Sequence, residues 1–487
     1  MVNLITEYKY IHDNIHGYIP ISNYAHYIIN SEQFQRLRKI KQLGTCIYAF
    51  PNALHNRFIH SIGTYYLAGR ILTCIMKNTQ AGDIDEYLRS IDELQNYYHK
   101  RYNGHIYILD EYICELIKIA ALCHDIGHGP FSHVFDDCFM PKVKKSSHIH
   151  DTHEERSKIL LEIIIKKNDI LSKIISQDDI EFMKNIINPT KNNKGFIYQI
   201  VSNSLNGLDI DKFDYIARDS YMLGLKSGFD HSGLIDHVKI IKNNITYPER
   251  VIYEIKKLYD TRYSLHKQIY NHKMVISSQL MIIELFDILD PILNLSKSVE
   301  NMDDFCKLTD EYIFDCIDHK FELYKKLVEY DNKYLESIEI LKKASLLVNR
   351  INNHDMYKFI GYHVSNQKIV LTKEDYYKLN SFDPSYMDKI IIHQTKIGFV
   401  SGDKENPLEN IYTYSSKLFG TNDSAIESTK MSINDITLIT PKIYQEYITM
   451  IFCKNNDEED IEKIKKWSQE LLSITNNGFI SNKSLIY

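Results

Sequence analysis

Histidines and aspartates concentrate in four short stretches of the first half of the chain. The stretches are HNRFIHSIGTYYLAG (55–69), ALCHDIGHGPFSH (121–133), THEERS (152–157) and NGLDIDKFDYIARDSYMLG (206–224). Two imidazoles and two carboxylates are a reasonable octahedral ligand set for a first-row metal such as Fe, Mn or Zn. A single His-Asp pair is usually an ordinary surface or core feature. The joint occurrence of H…HD…HE…D among glycines instead predicts a divalent metal centre with room for water and a phosphate oxygen.

The second stretch must place its polar residues at the end of a helix. Apolar residues recur every three and four positions in ICELIKIAALC (113–123), which predicts a helix. Two glycines and Pro130 follow, and they disfavour its continuation. His124 and Asp125 therefore fall in the last turn. They diverge by about 100° around the axis, yet both can reach one ion that lies beside the helix end.

Two helical stripes carry groups that suit a nucleotide, because in each stripe the residues recur every four positions. They are Asp211, Tyr215 and Asp219 in the fourth stretch, and Arg262, His266 and Tyr270 in LYDTRYSLHKQIYNHK (258–273). In the first stripe, a metal ligand at one end would place a phenol and a second carboxylate further along the same helix face. In the second stripe, an arginine and a histidine one turn apart suit a polyphosphate, and the tyrosine beyond them suits a sugar or base.

The composition is that of a soluble globular chain of two or three structural units. The sequence has 487 residues, of which 44% are hydrophobic and 25% charged. A net charge of −6 argues against broad nonspecific binding to nucleic acid. The 8 cysteines include no C-x-x-C pair, which favours reduced thiols over a disulfide framework or a zinc knuckle. The chain opens with polar residues and lacks an apolar run of about 18 residues, which predicts a cytosolic or nuclear protein without a membrane segment.

The predicted fold class is mostly α, a helical core with a smaller α+β C-terminal lobe. Apolar periodicity predicts helices in segments such as 154–167 and 277–295, with Pro291 kinking or restarting the second. Near residue 355 the pattern changes to β-branched and aromatic runs. We predict strands in KFIGYHV (358–364), QKIVLT (367–372) and DKIIIHQTKIGFVSG (388–402), then helices in PKIYQEYITMIF (441–452) and EDIEKIKKWSQELL (459–472). The predicted domains are therefore a helical domain at 1–354 and a regulatory or assembly lobe at 355–487.

The motifs resemble the HD superfamily of metal-dependent phosphohydrolases, in which H…HD…D supplies the metal ligands. Within it, the chain is similar to the sterile-alpha-motif and HD-domain deoxynucleoside triphosphate (dNTP) triphosphohydrolase family over residues 8–290, and more faintly beyond. The segments that carry this resemblance are RLRKIKQLG (36–44), HNRFIHSIGTYYLAG, HDIGHGPFSHVFDD (124–137), NGLDIDKFDYIARD and HKQIYNHK (266–273). His16 and Gly17 match the family's N-terminal HG segment, so we expect no sterile-alpha-motif domain before them. The resemblance implies a helical HD-domain core.

The resemblance also implies a role for each candidate site residue. The implied metal ligands are His60, His124, Asp125 and Asp211. The implied catalytic residues are Arg57 at the α-phosphate, His133 as a general acid oriented by Asp136, and His128 and His153 on the phosphate side. The implied substrate residues are Lys212, Tyr215, Arg262 and His266 at the triphosphate, Gln42 and Asp219 at the 3′-hydroxyl, and Leu43 and Tyr270 against the sugar, where a 2′-hydroxyl would clash.

The implied reaction is attack of metal-activated water on the α-phosphorus of a dNTP, giving a deoxynucleoside and inorganic triphosphate. A metal lowers the pKa of water and stabilises charge that develops on phosphorus. The 5′-alkoxide is a poor leaving group, and an imidazole with a pKa near neutrality can protonate it. We expect Mg²⁺ to accompany the substrate phosphates beside the cationic side chains. Nucleic acid is not required for this chemistry.

The resemblance further implies a homo-oligomer, a dimer or tetramer, and an activating nucleotide. In the family, the mammalian-type enzyme forms tetramers when a guanine nucleotide and a deoxynucleotide bind between subunits. Lys9, Gln35 and Arg38 match positions of that regulatory site. Asn30, however, stands where an aspartate would pair with guanine N1 and N2. An uncharged amide accepts only through its oxygen, so guanine selectivity does not follow.

Two other regulatory positions also depart from the family pattern. Gly233 stands where an arginine would lie. In SAIESTK (424–430), which aligns with an arginine-richer stretch, Glu427 is present and only Lys430 is basic. The sequence therefore predicts preserved catalysis without predicting activation by the usual nucleotide pair.

Two alternative functions are compatible with parts of this pattern. One is an HD phosphohydrolase or phosphodiesterase that acts on nucleotide monoesters or cyclic nucleotides, although Arg262 and His266 favour a longer phosphate chain. The other is a catalytically silent module that binds nucleotides or single-stranded nucleic acid. The identity of the product separates the first alternative from a triphosphohydrolase, and a variant that binds dNTPs without hydrolysing them separates the second.

Overall fold

Helices form most of the protein. The structure, a computed structural model, describes residues 7–143, 152–226, 229–328, 330–399, 406–415, 417, 427–431, 444–474 and 480–481. The α-helices of the N-terminal part are Asn23–Ile29, Glu32–Gln35, Arg57–Asn78, Ala81–Leu88, Asp92–Tyr102, Glu111–Cys123, Met140–Val143, His153–Lys167, Leu171–Ile174, Gln177–Ile187, Ile197–Ile200, Ile210–Met222, His231–Ile235, Ile252–Leu265, Lys273–Leu293, Leu295–Ser298, Met302–Phe305, Asp310–Leu327 and Tyr334–Asn352. Helix Glu458–Ile474 follows in the C-terminal part. Short 3-10 helices lie at Arg36–Lys39, Gly44–Tyr48, Glu249–Val251, Lys373–Lys378, Pro384–Lys389 and Pro407–Asn410, and π-helical turns at Val134–Phe139 and His266–Tyr270.

The strands form one hairpin and two small sheets. Strands Tyr8–Asp13 and Gly17–Ser22 make the antiparallel N-terminal hairpin. One sheet contains, in spatial order, Lys239–Ile241, Asn244–Pro248, Tyr412–Tyr414 and Thr429–Lys430. The other contains Ile480–Ser481, Lys358–Ser365, Gln445–Cys453 and Ile390–Gly398, all antiparallel. A separate apolar cluster that includes Trp467 packs helix Glu458–Ile474 against this second sheet.

The mostly helical class with a smaller α+β lobe is confirmed. Helices Glu111–Cys123, His153–Lys167 and Lys273–Leu293 match three predicted segments, and Pro291 falls in the last turn of the third. Strand Asn244–Pro248 pairs in parallel with Tyr412–Tyr414, so main-chain hydrogen bonds cross from one predicted domain to the other. The division at 354 and 355 stays a prediction.

Two predicted elements of the lobe are wrong. The segment PKIYQEYITMIF, predicted as a helix, contributes most of strand Gln445–Cys453. It lies between two other strands, so ladder hydrogen bonds and buried β-branched residues outweigh its helical spacing. The segment QKIVLT, predicted as a strand, is irregular. Thr372 and Asp375 instead form a capping box that starts a 3-10 helix.

Four helix ends meet at the candidate site. Helix Arg57–Asn78 packs against Glu111–Cys123 and Ile210–Met222, and His153–Lys167 packs against Glu111–Cys123. Three of these helices begin at site residues, capped by the side chains of Asn56, Thr152 and Asp209. The fourth, Glu111–Cys123, ends immediately before His124, as the glycine-rich sequence predicts. Among the described residues, no helix has the length and apolar character required to cross a bilayer.

Candidate active site

Four predicted metal ligands converge where these helices meet. His60 Nε2 lies 3.4 Å from Asp125 Oδ2 and 3.2 Å from Asp211 Oδ1. His124 Nε2 lies 3.4 Å from Asp125 Oδ1 and 3.5 Å from Asp211 Oδ1. Ligands about 2.1 Å from an ion and at right angles to each other are separated by about 3 Å. The four donor groups therefore have the spacing of neighbouring ligands around one ion.

The two histidines present their free nitrogens to that point. His60 Nδ1 donates to Asp214 Oδ2 at 2.7 Å, and His124 Nδ1 donates to the Ala121 carbonyl at 2.7 Å. The Nε2 atoms of both rings are buried and have no hydrogen-bond partner among the described residues. A carboxylate or carbonyl that accepts from one ring nitrogen fixes the tautomer and leaves the other nitrogen as a ligand. The residues present thus fit a divalent metal.

Asp214, for which no role was predicted, also belongs to this group of side chains. Its carboxylate accepts from His60, from His16 Nε2 at 2.7 Å and from the Arg218 guanidinium at 2.8 and 2.9 Å. Arg218 in turn donates to Asp13 Oδ2 at 2.7 Å. Asp214 follows the predicted metal ligand Asp211 by three residues on one helix, and this spacing could have identified it. The N-terminal hairpin is thereby connected to a predicted metal ligand.

Both aspartates predicted as ligands are held in the ionised form. Burial alone would raise the pKa of Asp125, but His124 and the Arg57 guanidinium hold it well below its usual range. Burial likewise opposes ionisation of Asp211, and the adjacent imidazoles of His124 and His60 keep its pKa low. Two ionised carboxylates offset the charge of a divalent ion.

A second group of possible ligands is unsuited to a shared ion. Asp125, His128 and His153 also offer ligand atoms within 4.8 Å of one another. The His128 and His153 rings, however, stack with centroids 3.9 Å apart and an angle of 17° between their planes. The nitrogen lone pair lies in the ring plane, so two nearly parallel stacked rings cannot both point at one ion. This pair of imidazoles is available for hydrogen bonding instead.

His133 lies beside this stack, but its predicted partner is wrong. Its ring centroid is 5.1 Å from that of His128 and 6.0 Å from that of His153. Asp136 accepts from His128 Nδ1 at 2.6 Å and from the Arg156 guanidinium, so it does not orient His133. His133 Nδ1 instead donates to Asp137 Oδ2 at 2.9 Å.

The π-helical turn Val134–Phe139 explains this change of partner. With hydrogen bonds from residue i to i+5, the residue four positions on lies closer to a full turn than the residue three positions on. Asp137 therefore lies on the same face of the turn as His133. In an α-helix, both Asp136 and Asp137 would lie near that face. Although desolvation acts to lower it, the Asp137 carboxylate raises the pKa of His133 above its ordinary value.

Arg57 is buried beside the metal ligands. Its guanidinium pairs with Asp125 Oδ2, and its Nε donates to Ser132 Oγ at 2.8 Å. Ser132 belongs to the same loop as His128 and His133, so Arg57 connects the first helix of the site to the loop that carries the candidate acid.

The predicted triphosphate residues also lie together. Lys212 Nζ is 3.0 Å from Asp209 Oδ2, and the Arg262 guanidinium donates to the Gly398 carbonyl. Burial and then the charges of Arg262, His133 and Lys212 lower the pKa of His266 well below its ordinary value. His266 is therefore neutral in the isolated protein and acts as a hydrogen-bonding group. Burial raises the pKa of the Tyr215 hydroxyl, and the positive charges of Arg262 and Lys212 offset part of this rise.

The predicted sugar residues lie close together and are buried or half-buried. Asp219 accepts from the Tyr270 hydroxyl and from His55 Nε2, the latter at 2.7 Å. The Gln42 backbone N–H donates to the His55 carbonyl at 3.0 Å, and the side-chain Oε1 of Gln42 is buried without a hydrogen-bond partner among the described residues. Leu43 packs against the surrounding core. The sequence placed His55 in a motif without assigning it a role; it holds Asp219.

The predicted regulatory residues form two exposed pairs near the N-terminal hairpin. Lys9 Nζ donates to His26 Nε2 at 2.6 Å, and Asn30 Nδ2 lies 2.9 Å from the same ring nitrogen. Arg38 Nε donates to Gln35 Oε1 at 2.9 Å. Burial, followed by the Lys9 ammonium, lowers the pKa of His26, which agrees with a neutral ring that accepts at Nε2.

The remaining regulatory positions lie apart from these pairs. Lys430 Nζ donates to Asn410 Oδ1 at 3.1 Å, and Glu427 is exposed. A side chain at Gly233 would meet open space among the described residues. Residues 424–426 of the aligned stretch lie outside the described residues.

The chain has known relatives over most of its length. Residues 105–219 match the HD domain family. The chain is 40% identical over 406 residues to HD domain-containing protein L394 of Acanthamoeba polyphaga mimivirus, which covers 82% of this chain and 84% of that protein. It is 32% identical over 471 residues to the deoxynucleoside triphosphate triphosphohydrolase SAMHD1 homolog of Dictyostelium discoideum, covering 95% and 80%. With human deoxynucleoside triphosphate triphosphohydrolase SAMHD1 it shares 29% identity over 504 residues, covering 94% and 72%. The chain belongs to the HD-domain family of deoxynucleoside triphosphate triphosphohydrolases.

Proposed function

We propose that the protein is a metal-dependent dNTP triphosphohydrolase, which cleaves a dNTP at the α-phosphorus into a deoxynucleoside and inorganic triphosphate. The observation that carries this proposal is the convergence of two histidine Nε2 atoms and two ionised aspartates beside a histidine acid and a group of cationic side chains. The relatives in Dictyostelium and human bear the name of this activity.

The metal would be held by His60, His124, Asp125 and Asp211. A first-row divalent ion there, Fe, Mn or Zn, supplies Lewis acidity that lowers the pKa of water and offsets charge developing on phosphorus. The protein's contribution is geometric. Asp214 and the Ala121 carbonyl fix the two imidazoles, so the donor atoms need little reorganisation when an ion binds.

Arg57 and the stacked histidines would hold the α-phosphate. Arg57 is fixed by Ser132 and Asp125, so its guanidinium enters the reaction already oriented. His128, anchored by Asp136, offers its Nε2 edge, and His153 stacks on the same ring. Donors fixed before the reaction stabilise developing charge better than mobile ones, because no reorganisation is needed in the transition state.

His133 would protonate the departing 5′-oxygen. It lies next to the His128–His153 stack, and Asp137 raises its pKa, which favours the protonated form that an acid needs. A protonated imidazole that donates to the leaving oxygen avoids release of a free alkoxide. Asp137 accepts from Nδ1, which leaves the Nε2–H of the protonated ring to donate to the leaving oxygen.

The rest of the nucleotide would lie along the two predicted stripes. Lys212 and Arg262 would bind the triphosphate tail together with Mg²⁺, and His266 and Tyr215 would donate hydrogen bonds to it. Asp219 and Gln42 would bind the 3′-hydroxyl, with Leu43 and Tyr270 against the sugar. The unpartnered buried Oε1 of Gln42 supports this placement, because a buried acceptor without a partner is costly.

The test is a product assay with purified protein and each dNTP, alone and with each NTP. The expected products are deoxynucleoside and inorganic triphosphate in equal amounts, abolished by chelation and restored by a first-row divalent metal. Orthophosphate as the product would favour a different HD phosphohydrolase. Substitution His124→Ala should abolish hydrolysis and leave dNTP binding; if dNTPs bind without hydrolysis in the unaltered, metal-loaded protein, the protein is a binding module.

Assembly and activation are tested in the same samples. We propose a homo-oligomer, a dimer or tetramer, working in the cytosol or nucleus, and a nucleotide site around Lys9, Asn30, Gln35 and Arg38, with Lys430 as a more distant contributor. Because Asn30 is uncharged, the activator need not be a guanine nucleotide. A mass measurement with and without each NTP decides this; identical masses and rates in all conditions would remove the regulatory part of the proposal.

A further inference from the structure

Asp310 places a buried carboxylate between two loops of the active site. It is the first residue of helix Asp310–Leu327, and its side chain is 2% exposed. Oδ1 accepts from the Phe131 amide N–H at 2.6 Å, and Oδ2 accepts from the Lys41 amide N–H at 2.9 Å. Phe131 lies in the loop of His128 and His133, whereas Lys41 precedes the sugar-side residue Gln42. One carboxylate therefore binds the backbone on both sides of the substrate region.

The loop bound by Asp310 has an uncommon backbone conformation. Phe131 and Ser132 both have φ of 57°. This left-handed region is rare for residues other than glycine, and a bulky side chain disfavours it further. Such a conformation persists only where its surroundings hold it. The hydrogen bond from Phe131 to Asp310 is one such restraint, at the start of the unusual pair.

The result of this turn is the position of the Ser132 hydroxyl. Ser132 Oγ donates to the Lys41 carbonyl at 2.8 Å and accepts from Arg57 Nε at 2.8 Å. Asp310 thus binds the amide of Lys41, and Ser132 binds its carbonyl. The chain of contacts runs from Asp310 through the two loops to Arg57.

Arg36 attaches the same helix start to the same loop by a second route. The side chain is buried and donates to the Leu308 carbonyl at 2.9 Å and to the His128 carbonyl at 2.6 Å. Arg36 therefore binds carbonyl groups where Asp310 binds amide groups. The hydrogen bonds of Arg36 and those of Asp310 both keep the start of helix Asp310–Leu327 against the loop.

We propose that Asp310 is a positioning residue, which acts through Ser132 to orient Arg57 toward the substrate phosphate. The inference rests on the proposed function, because it concerns the phosphate-binding role of Arg57. Asp310 lies outside the matched HD domain, so a residue of a later helix completes the geometry of that domain.

The experiment compares Asp310→Asn, Ser132→Ala and the double variant. An asparagine retains one acceptor oxygen and loses the other, so one loop is released. We expect kcat for dNTP hydrolysis to fall roughly 10- to 100-fold in each single variant, since a small misplacement of a positioned group has effects of that size. KM should change little. The double variant should be no slower than the slower single variant, because both substitutions break one chain of contacts.

The control is Asp179→Asn, which removes a comparable buried carboxylate from helix Gln177–Ile187, a helix that carries no candidate site residue. Asp179 is buried and accepts from the Ser176 amide N–H at 2.8 Å at a helix start. It should lower thermal stability without lowering kcat, and a merely structural Asp310 would behave in the same way. The inference is overturned if the kcat losses of the two single variants multiply in the double variant. It is also overturned if Ser132→Ala retains full kcat, a result that can be obtained even where Asp310→Asn fails to fold.

Failure of the proposed function is visible separately. Substitution Arg57→Ala with full triphosphate release would show that Arg57 has no role at the phosphate, whatever the Asp310 variants do. A severe defect in Arg57→Ala combined with wild-type kcat in Asp310→Asn would leave the proposed function intact and remove only the positioning role.

Discussion

Two histidines of the site each contact an aspartate carboxylate, but one pair is buried and the other is exposed to solvent. In the metal half, His60 Nδ1 contacts the Asp214 carboxylate at 2.7 Å, and both side chains are 0% exposed. In the acid half, His133 Nδ1 contacts the Asp137 carboxylate at 2.9 Å, and the side chains are 62% and 63% exposed. The bond lengths are similar, whereas the contact with water is not.

The difference shows how rigidly each half of the site must hold its histidine. The buried carboxylate of Asp214 has lost its hydration, and Arg218 and His16 replace it with hydrogen bonds, so removal of any member leaves an unpaired buried group. Water can replace Asp137 at little cost. A metal ligand must hold one position, but an acid must approach the leaving group and exchange its proton. The two halves are therefore expected to respond very differently to substitution.

The largest effect is expected from Gly63→Ala. A Cβ at Gly63 would lie 1.9 Å from Asp214 Oδ1 and 2.5 Å from Arg218 Nη2. The pair of buried charges must then move apart, which we expect to cost about 3 kcal/mol or more of folding free energy and to displace His60. Thermal unfolding and metal content of the purified variant measure both effects.

The matched control is Gly82→Ala in helix Ala81–Leu88. No described heavy atom lies near the added Cβ, so the substitution should stabilise the protein by about 0.5–1 kcal/mol through helix propensity. If Gly63→Ala keeps wild-type stability and metal content, the buried half tolerates movement, and the contrast between the two halves is lost.

The next effect is expected from Asp214→Asn, which lowers stability because Arg218 loses its buried countercharge and, in the folded protein, weakens metal binding. An amide oxygen can still accept from one donor, but it carries no charge to balance Arg218 or to strengthen His60 as a ligand. Loss of such a partner typically weakens metal binding 10- to 100-fold, so a Mn²⁺ titration of activity should shift by roughly that factor. Activity should recover at saturating metal.

Asp290→Asn is the control for this experiment. Asp290 Oδ1 accepts from the Ser296 amide N–H at 2.7 Å in another part of the helical core, so its removal should leave the metal titration unchanged. An Asp214→Asn protein that stays inactive at saturating metal would mean that Asp214 supports the fold of the site rather than metal affinity.

The sequence predicted the parts of this site that depend on local spacing. The glycines that end helix Glu111–Cys123 place His124 and Asp125 at its end, and four-residue recurrence places Asp211, Tyr215 and Asp219 on one helix. These inferences need only the geometry of one element.

The groups that hold the ligands were not predictable in this way. Asp214 reaches His60 from 154 positions away and Asp310 reaches Phe131 from 179 positions away, and no local pattern encodes such contacts. The choice between Asp136 and Asp137 depended on a π-helical turn, which residue spacing does not reveal. The strand Gln445–Cys453 was mistaken for a helix for a related reason, because its two neighbouring strands are distant in sequence.

The smallest effect is expected in the exposed half, from Asp137→Asn. His133 must be protonated to donate, so kcat/KM falls as the pH rises through the pKa of His133. Asp137 raises that pKa, and its removal should move the fall in activity to lower pH. An exposed pair contributes little, so the shift should be small, with stability and metal content unchanged.

Asp85→Asn provides the matched surface pair, since Asp85 and Arg89 form an equivalent contact four residues apart. It should leave the pH profile of kcat/KM unaltered. The other groups near His133, including His128, His153, His266 and Arg57, are the same in both variants, so a difference between the profiles belongs to Asp137. A shift to higher pH, or a loss of activity at every pH, would mean that Asp137 acts on something other than the protonation of His133.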